Sequence, residues 1–297
     1  MKRLSLIALS FATPLAVMGQ VVFSDNFTTD SSLGSEWFNL NSSANCSATW
    51  SAGGLALNTS AGTGKINEEF AVFAGSPIVL ADAGQFITLT VTYNSANASG
   101  NNGYLLAGLF NSQGTVATAN LGNTTVDQAN STYDDTGYAG LMGFSTYANG
   151  TTKFYQRTSV AGTLGNNELA YYSTGASGTF SQVQGGLATS LNGTMVNGTT
   201  YVLTYTVAKT GSGDTITAVI KDTNGVQLGN DNWTVTDSSG LYNSFDELDF
   251  GWYGKNGTSP AINGNIIDVT VSVPEPATFA LAGLGMLGLF IVRRVRR

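Results

Sequence analysis

The sequence predicts an all-β protein, a two-sheet antiparallel sandwich with an apolar helical segment at each end of the chain. Apolar and polar residues alternate with a period of two along several middle segments, which is typical of strands with one buried face. Asn-Gly pairs separate these segments, and both residues tolerate the positive φ of tight hairpin turns. Because no middle segment has a helical period, the strands are expected to pack as two layers.

The alternation is clearest in residues 87–93, 201–207 and 267–273. In the last of these, Ile267, Val269, Val271 and Val273 are expected to share one face. Two hairpins are predicted, one joining 201–208 to 215–221 and one turning at Asn224 and Gly225. Further candidate strands cover residues 104–110, 140–144, 153–157, 232–236 and 247–253.

The N-terminus is typical of a secretory signal peptide, predicted over residues 1–19. Lys2 and Arg3 form its positive region, an apolar stretch follows, and small residues before Gln20 suit cleavage there. The alternative is an uncleaved anchor helix, which Pro14 and the short apolar length disfavour.

The C-terminus has three parts in order. An extended, accessible linker is predicted for Val273, Pro274, Glu275 and Pro276, since proline lacks a backbone N–H and disfavours helix in the residue before it. Residues 277–292 contain no charged side chain. As a transmembrane helix they would rise about 24 Å, slightly less than a ~30 Å hydrocarbon core. The tail ends in a cluster that should stay cytoplasmic and leave the body outside: Arg293, Arg294, Arg296 and Arg297.

This tripartite end resembles the PEP-CTERM family of sorting signals. The resemblance is carried by Val273, Pro274, Glu275 and Pro276, the apolar run and the final arginines, together about 25 residues. It implies recognition by an exosortase, a membrane cysteine transpeptidase that cuts near the motif. It also implies a Gram-negative host that makes exopolysaccharide or biofilm matrix.

Composition excludes several functions. Residues 20–273 hold six basic and 18 acidic side chains, a formal charge of −12, so nucleic acid is not an expected partner. The absence of histidine excludes Ser-His-Asp and Cys-His catalysis and His-ligated zinc. Cys46 is the only cysteine, so no intrachain disulfide can form. No cofactor and no metal are predicted.

The body also resembles concanavalin A-like jelly rolls of the laminin-G and glucanase type. Residues 23–27, Trp37 and residues 50–57 carry the resemblance near the start, and residues 245–253 and 265–272 carry it near the end. It implies that the last strand pairs back with the first.

Glucanases of this type carry a strand with three alternating carboxylates. Glu247 and Asp249 match the first two positions, but Gly251 or Trp252 stands at the third, so the general acid is missing. A structural strand is therefore expected there. Glu68 and Glu69 are expected to be a solvated pair, and because adjacent strand residues point to opposite faces, they cannot share a cleft unless the segment is a loop. Asp134 with Asp135, and Asp231 with Asn232, could contribute to a calcium site, but loop acids without a ligand are expected.

Aromatic residues could instead form a sugar-binding platform, although ordinary packing explains them as well. The candidates are Tyr133, Tyr138, Tyr147, Tyr155, Tyr171, Tyr172, Tyr242, Trp252 and Tyr253.

The predicted organisation is a signal peptide over 1–19, a sandwich ectodomain over 20–272 and a sorting signal over 273–297 with its transmembrane segment at 277–292. We expect an exported, non-catalytic protein with a structural or adhesive role. Its inner-membrane-anchored precursor would be cleaved by an exosortase and the product placed at the cell surface or in extracellular matrix. The alternatives are a lectin-like module that binds extracellular polysaccharide and a divergent glycoside hydrolase.

Overall fold

The computed structural model describes residues 19–29, 34, 36–41, 46–59, 61, 65–95, 103–115, 135–143, 152–158, 180–183, 195–228, 233–254 and 263–274. Within these ranges the chain forms strands and no helix. The strands belong to two large antiparallel sheets, here called sheet A and sheet B, and one short ribbon. The predicted all-β, two-sheet antiparallel sandwich is confirmed.

Sheet A has eight strands: β1 (Gly19–Asn26), β3 (Ser47–Ser51), β4 (Gly54–Asn58), β7 (Phe86–Ser95), β12 (Thr200–Thr210), β13 (Gly213–Asp222), β14 (Trp233–Asp237) and β17 (Asn263–Pro274). Their order is β14-β13-β12-β7-β17-β4-β3, and β1 also pairs with β17.

Sheet B has seven strands: β2 (Trp37–Asn41), β5 (Lys65–Val72), β8 (Gly103–Asn111), β9 (Thr136–Gly143), β10 (Lys153–Arg157), β11 (Phe180–Gln182) and β16 (Glu247–Gly254). Their order is β11-β10-β9-β8-β16-β5-β2, and β6 (Ile78–Val79) pairs with β15 (Ser244–Phe245) in the ribbon. Late strands thus enter the middle of both sheets, β16 between β8 and β5 and β17 between β7 and β4. Such non-sequential pairing is the Greek-key arrangement of jelly rolls.

The predicted hairpin over β12 and β13 is confirmed. The two strands pair from Tyr201 opposite Asp222 to Thr210 opposite Gly213, so the loop is only two residues long. Gly213 has a φ of 137°, and a β carbon there would lie within 3 Å of Asp237 backbone atoms. The predicted turn at Asn224 is also present, with Gly225 at a φ of 80°.

The main core lies between the sheets. Its sheet A side comes from β7, β12, β13 and β17, and its sheet B side includes Leu105, Leu109 and Trp252. A second apolar cluster, on the outer face of sheet B, includes Ile66, Leu106 and Tyr253.

The last strand differs from its prediction in one detail. Its register against β7 shifts between Ile266 and Asp268, which marks a β-bulge at Ile267. Ile266, not Ile267, therefore joins Val269 and Val271 in the core. The predicted pairing of the last strand with the first is confirmed.

Candidate functional site

The central strand of sheet B carries the carboxylates that the sequence singled out. Leu248, Phe250 and Trp252 of β16 belong to the core between the sheets. Because successive side chains of a strand point to opposite faces, Glu247 and Asp249 lie on the outer face of sheet B. Both are buried, with 2% and 0% of their surface exposed.

A third carboxylate reaches the same face from the neighbouring strand. Glu68 of β5 lies directly opposite Gly251, and Phe70 lies opposite Asp249. Glu68 is thus the diagonal neighbour of Asp249, with roughly 7 Å between their β carbons. Glu69 pairs with Phe250 and points into the core. The expectation that Glu68 and Glu69 are solvated is wrong, since both are 0% exposed, whereas their opposite directions are confirmed.

A buried ion pair neighbours these acids. Arg157 Nη1 lies 3.8 Å from Asp135 Oδ2, and the guanidinium is 6.0 Å from the centroid of the Phe110 ring. Asp135 lies just before β9, outside any strand, and is 0% exposed. Burial, followed by the charge of Asp135, raises the pKa of Glu247 well above its usual range, although the Arg157 charge acts in the opposite direction. Burial among other acids therefore favours the protonated form of Glu247.

The geometry around Gly251 bears on the glucanase-like motif. A β carbon at this position would lie 2.2 Å from the Asn67 carbonyl oxygen and 2.7 Å from the Glu68 Cα. Backbone atoms cannot yield that much space cheaply, so β16 has no room for a third carboxylate at this position. The outer face presents its third acid, Glu68, from β5 instead.

The aromatic candidates do not form one platform. Tyr138 and Trp252 point into the core between the sheets, whereas Tyr155 and Tyr253 lie on the outer face of sheet B. Tyr253 stacks on Tyr104, with ring centroids 5.7 Å apart and planes at 17°, but these rings are only 9% and 3% exposed. Tyr242 is half-buried against the core. The remaining candidates lie outside the described residues: Tyr133, Tyr147, Tyr171 and Tyr172.

Sequence reasoning missed a polar network that joins the two sheets. Asn67 Nδ2 of sheet B donates to the carbonyl oxygens of Ser47 (2.8 Å) and Asn58 (3.1 Å) in sheet A. Asn39 Nδ2 donates to Asn67 Oδ1 and to Glu69 Oε1, each at 2.8 Å. Burial, only partly offset by the Asn39 hydrogen bond, raises the pKa of Glu69 to about 8. The one signal in the sequence is a run of three polar residues, 67–69, inside an apolar segment.

A second link joins the sheets near the β12–β13 turn. The Tyr138 hydroxyl of sheet B lies 2.9 Å from Asp214 Oδ2 and 2.7 Å from Asp237 Oδ2 of sheet A. Lys209 Nζ, in turn, is 3.2 Å from Asp214 Oδ1. The Lys209 charge offsets that of one of the two adjacent carboxylates, and this cluster links sheet A to sheet B.

The loop acids considered as metal ligands find no support. Among the residues that the structure describes, no three Asp, Glu or Cys side chains are grouped so that they could hold a metal ion. Asp134, Asp231 and Asn232 lie outside those ranges.

Most of the sorting tail also lies outside the described residues, including Glu275, Pro276, Arg293, Arg294, Arg296 and Arg297. The same holds for the segments predicted as signal peptide and transmembrane helix, apart from Gly19. Val273 and Pro274 are described and are the last two residues of β17. Val273 packs against the core between the sheets, so the expectation that it lies in an accessible linker is wrong. In the part of the chain that the structure covers, no helix has the length and apolarity needed to span a membrane.

A family model described as the PEP-CTERM protein-sorting motif matches residues 272–297. The C-terminus therefore carries a PEP-CTERM sorting signal, as the sequence predicted. Such a signal marks an exported exosortase substrate that is processed from a membrane-anchored precursor. No curated protein matches the chain in sequence.

Several solved structures are similar to the chain. Lectin II from Ulex europaeus matches with a TM-score of 0.43 and 10% identity, over 86% of this chain and all of that one. Arcelin-5, a lectin-like defense protein from Phaseolus vulgaris, matches with a TM-score of 0.40 and 13% identity, over 86% and 99% of the two chains. A protein of unknown function from Shewanella oneidensis MR-1 gives 0.41 and 12%, over 92% and 97%. Because these TM-scores lie below 0.5, the fold assignment rests on this chain's own sheets.

Proposed function

We propose that this protein is a non-catalytic exported module with a structural or adhesive role at the cell surface or in the extracellular matrix. A cleaved signal peptide starts its export, and the apolar tail spans the inner membrane until an exosortase releases the sandwich. The observation that carries this proposal is the sorting signal attached directly to the last strand of the sandwich.

The burial of the acids supports a role without catalysis. Glu68, Glu247 and Asp249 are each at most 2% exposed, and the pKa of Glu247 is raised well above its usual range. A retaining glycosidase needs one ionised carboxylate as nucleophile and one acid, both in contact with substrate. The two cross-sheet networks instead suit a rigid body that persists outside the cell.

The sorting half of the proposal is tested by replacing Pro274, Glu275 and Pro276 with alanine in a host that encodes an exosortase. The wild-type chain should appear at the surface or in the medium with a shortened C-terminus. The triple variant should accumulate as a full-length precursor in the membrane fraction. Normal release of the variant would reject motif-dependent processing.

The non-catalytic half is tested with the purified protein on β-glucans. We expect no hydrolysis above a blank. Hydrolysis that disappears in Glu247→Gln but persists in Asp82→Asn, an exposed acid in a loop of sheet A, would show a hydrolase instead.

A carbohydrate-binding role is the second candidate, favoured by the stacked pair Tyr104 and Tyr253 on the outer face of sheet B, the face that also carries Glu247 and Asp249. Sugars stack on aromatic faces, and carboxylates accept their hydroxyl hydrogen bonds. A glycan array should then give a ligand whose affinity falls at least tenfold in Tyr253→Ala and stays unchanged in Tyr242→Ala. An array without any binding would reject this role.

A further inference from the structure

A lysine and an aspartate meet where the β12–β13 turn contacts sheet B. Lys209 and Asp214 face each other directly across the two strands, and Lys209 Nζ lies 3.2 Å from Asp214 Oδ1. The Asp214 side chain is 0% exposed, whereas that of Lys209 is 18% exposed. An amine is thus held against a carboxyl group at a distance that suits reaction, and the carboxyl group is shielded from water.

Two glycines leave room for this pair. A β carbon at Gly240 would lie 3.2 Å from Lys209 Nζ, and one at Gly213 would overlap the Asp237 carbonyl oxygen. Lys209 Nζ also lies 3.5 Å from the Gly240 carbonyl oxygen. The backbone at this turn therefore closes around the lysine amine and holds it beside Asp214.

The Tyr138 hydroxyl limits how many protons the two nearby acids can hold. Its oxygen lies 2.9 Å from Asp214 Oδ2 and 2.7 Å from Asp237 Oδ2. A hydroxyl has one hydrogen, so it can donate to only one of these carboxyl groups. The other short contact is a hydrogen bond only if its carboxyl group carries a proton and donates to Tyr138. Asp214 and Asp237 therefore hold one proton between them.

Hydrogen bonding places this proton on Asp214. Burial raises the pKa of Asp237, but the hydrogen bonds that its carboxylate accepts from Ser239 and Tyr138 outweigh burial and leave that pKa below its usual value. Asp237 is therefore the ionised acid, and Asp214 donates to the Tyr138 oxygen as a neutral carboxylic acid. A neutral acid is open to attack by an amine, whereas the negative charge of a carboxylate resists such attack.

We propose that Lys209 and Asp214 join in an isopeptide bond, an amide cross-link between the side chains of β12 and β13. This modification goes beyond the proposed sorting and is independent of it. The partly exposed Lys209 side chain loses one proton to water and reacts as the free amine, since only the free amine is a nucleophile. The amide replaces an ion pair with a covalent bond at the place where Tyr138 links the two sheets, which suits a protein that must persist outside the cell.

The step needs no oxidant, cofactor or second protein. The lone pair of Lys209 Nζ bonds to Asp214 Cγ, and that carbon becomes tetrahedral. The Cγ–Oδ2 bond then breaks, and the oxygen leaves as water with its own proton and one of the two protons of the amine. Tyr138, which is hydrogen-bonded to Oδ2, stabilises this oxygen as it leaves. Condensation is unfavourable between free molecules in water, but groups held in one geometry can gain an effective concentration of about 10⁵ M.

Peptide mapping of the purified full-length protein tests the cross-link. The chain is unfolded, digested with trypsin and analysed by mass spectrometry. Because trypsin cuts after lysine and arginine, an unmodified chain gives separate peptides for residues 158–209 and 210–221. We expect one peptide over residues 158–221 that is lighter by one water molecule, because the amide removes the charge that trypsin recognises at Lys209. Complete cleavage after Lys209 in the wild type, with no loss of mass, would overturn the proposal.

Two variants distinguish this cross-link from a loss of water elsewhere in the peptide. Lys209→Arg keeps the positive charge, yet it should be cut after residue 209 and show no loss of mass. Lys221→Arg is the matched control, because Lys221 is an exposed lysine of the same hairpin, and it should behave as the wild type. If Lys209→Arg does not unfold cooperatively, Lys209→Gln replaces it. A loss of water that persists in the Lys209 variant would show that the bond is not at this lysine.

Discussion

Sheet A and sheet B bury their strands differently. Along β12 and β13, buried residues alternate with half-buried ones, so sheet A has one core face and one outer face that partly contacts solvent. All eight residues of β16 are buried, as are the first eight of the nine residues of β8, so sheet B is enclosed on both faces. Sheet B also holds buried ionisable side chains on its outer face, including Glu68, Glu247 and Arg157. The two sheets thus pair their strands in a similar way but differ in how far their outer faces are buried and in the ionisable side chains on those faces.

This contrast explains where the burial of a polar group costs free energy. A half-buried threonine on sheet A keeps water as an alternative hydrogen-bond partner. A fully buried carboxylate must be protonated, paired or bonded, because burial of an isolated charge is strongly unfavourable. The raised pKa values of Glu69 and Glu247 are the expected response.

The sharpest test of the contrast removes apolar volume from each outer face. Leu106→Ala, on the fully buried outer face of sheet B, should lower the free energy of unfolding by about 2–5 kcal/mol, because a cavity forms. Val202→Ala, on the half-buried outer face of sheet A, should cost at most about 1 kcal/mol. Chemical denaturation of both variants checks this, and equal losses would show that the two faces are alike.

The second test uses pH. The folded-state pKa of Glu69 is raised from 4.5 to about 8, so the folded chain keeps a proton that the unfolded chain releases above about pH 4.5. Stability is therefore lost as the pH rises from about 4.5 to 8, by at most about 1.4 kcal/mol per pH unit. Because glutamine cannot ionise, the stability of Glu69→Gln relative to the wild type should increase over this range, reaching a few kcal/mol by pH 8.

Thermal unfolding from pH 4 to 9 measures that gap, with Asp82→Asn as the control because Asp82 is exposed. The gap between Glu69→Gln and the wild type should widen up to about pH 8 and then stay constant. A pH-independent gap would mean that Glu69 is already ionised in the folded protein.

The third test concerns the link between the layers. Asn67→Ala leaves the Ser47 and Asn58 carbonyl oxygens without their donor and should cost about 1–3 kcal/mol. Thr217→Ala, which removes an exposed hydrogen bond to Thr234 on sheet A, should cost no more than about 0.5 kcal/mol. Urea unfolding measures the free energy of unfolding of both variants. An equally small loss for Asn67→Ala would show that the Asn67 network does not stabilise the fold.

The smallest effect is expected at a threonine pair on the outer face of sheet A. Thr88 and Thr206 face each other across β7 and β12 with their hydroxyl oxygens 3.0 Å apart. Thr206→Val keeps the β-branched shape and should change the unfolding free energy by less than about 0.5 kcal/mol. A loss above about 1 kcal/mol would show that this face is less hydrated than the half-buried Thr206 indicates.

The difference between the sheets also decided what could be predicted. β7 and β12 follow from their alternation, since each has one face in the core and one that is partly solvated. β5 was not predicted, because a search for alternating apolar and polar residues assigns the adjacent Glu68 and Glu69 in its centre to solvent-exposed positions. Burial on both faces removes the polar half of the pattern, so the sequence carries little signal for such a strand.

The candidate site divides in the same way. Glu247 and Asp249 were recognised from spacing within one strand, and so was the missing third acid. Glu68, Asp135 and Arg157 could not be added, because they come from β5, the segment before β9 and β10, separated in sequence by up to 179 residues from β16. Only strand order and register bring such residues to one face.

The sequence by itself determined the all-β class, the β12–β13 hairpin, the acidic and histidine-free body and the sorting signal. Each of these depends on composition or on residues that are close together along the chain. The tertiary structure decided which carboxylates are buried, how Asn67 joins the layers and that β17 runs into the sorting signal. These features depend on long-range strand pairing, which local periodicity does not encode. The physical reason is that burial removes water from a residue according to what packs above and beside it, and those neighbours come from distant parts of the chain.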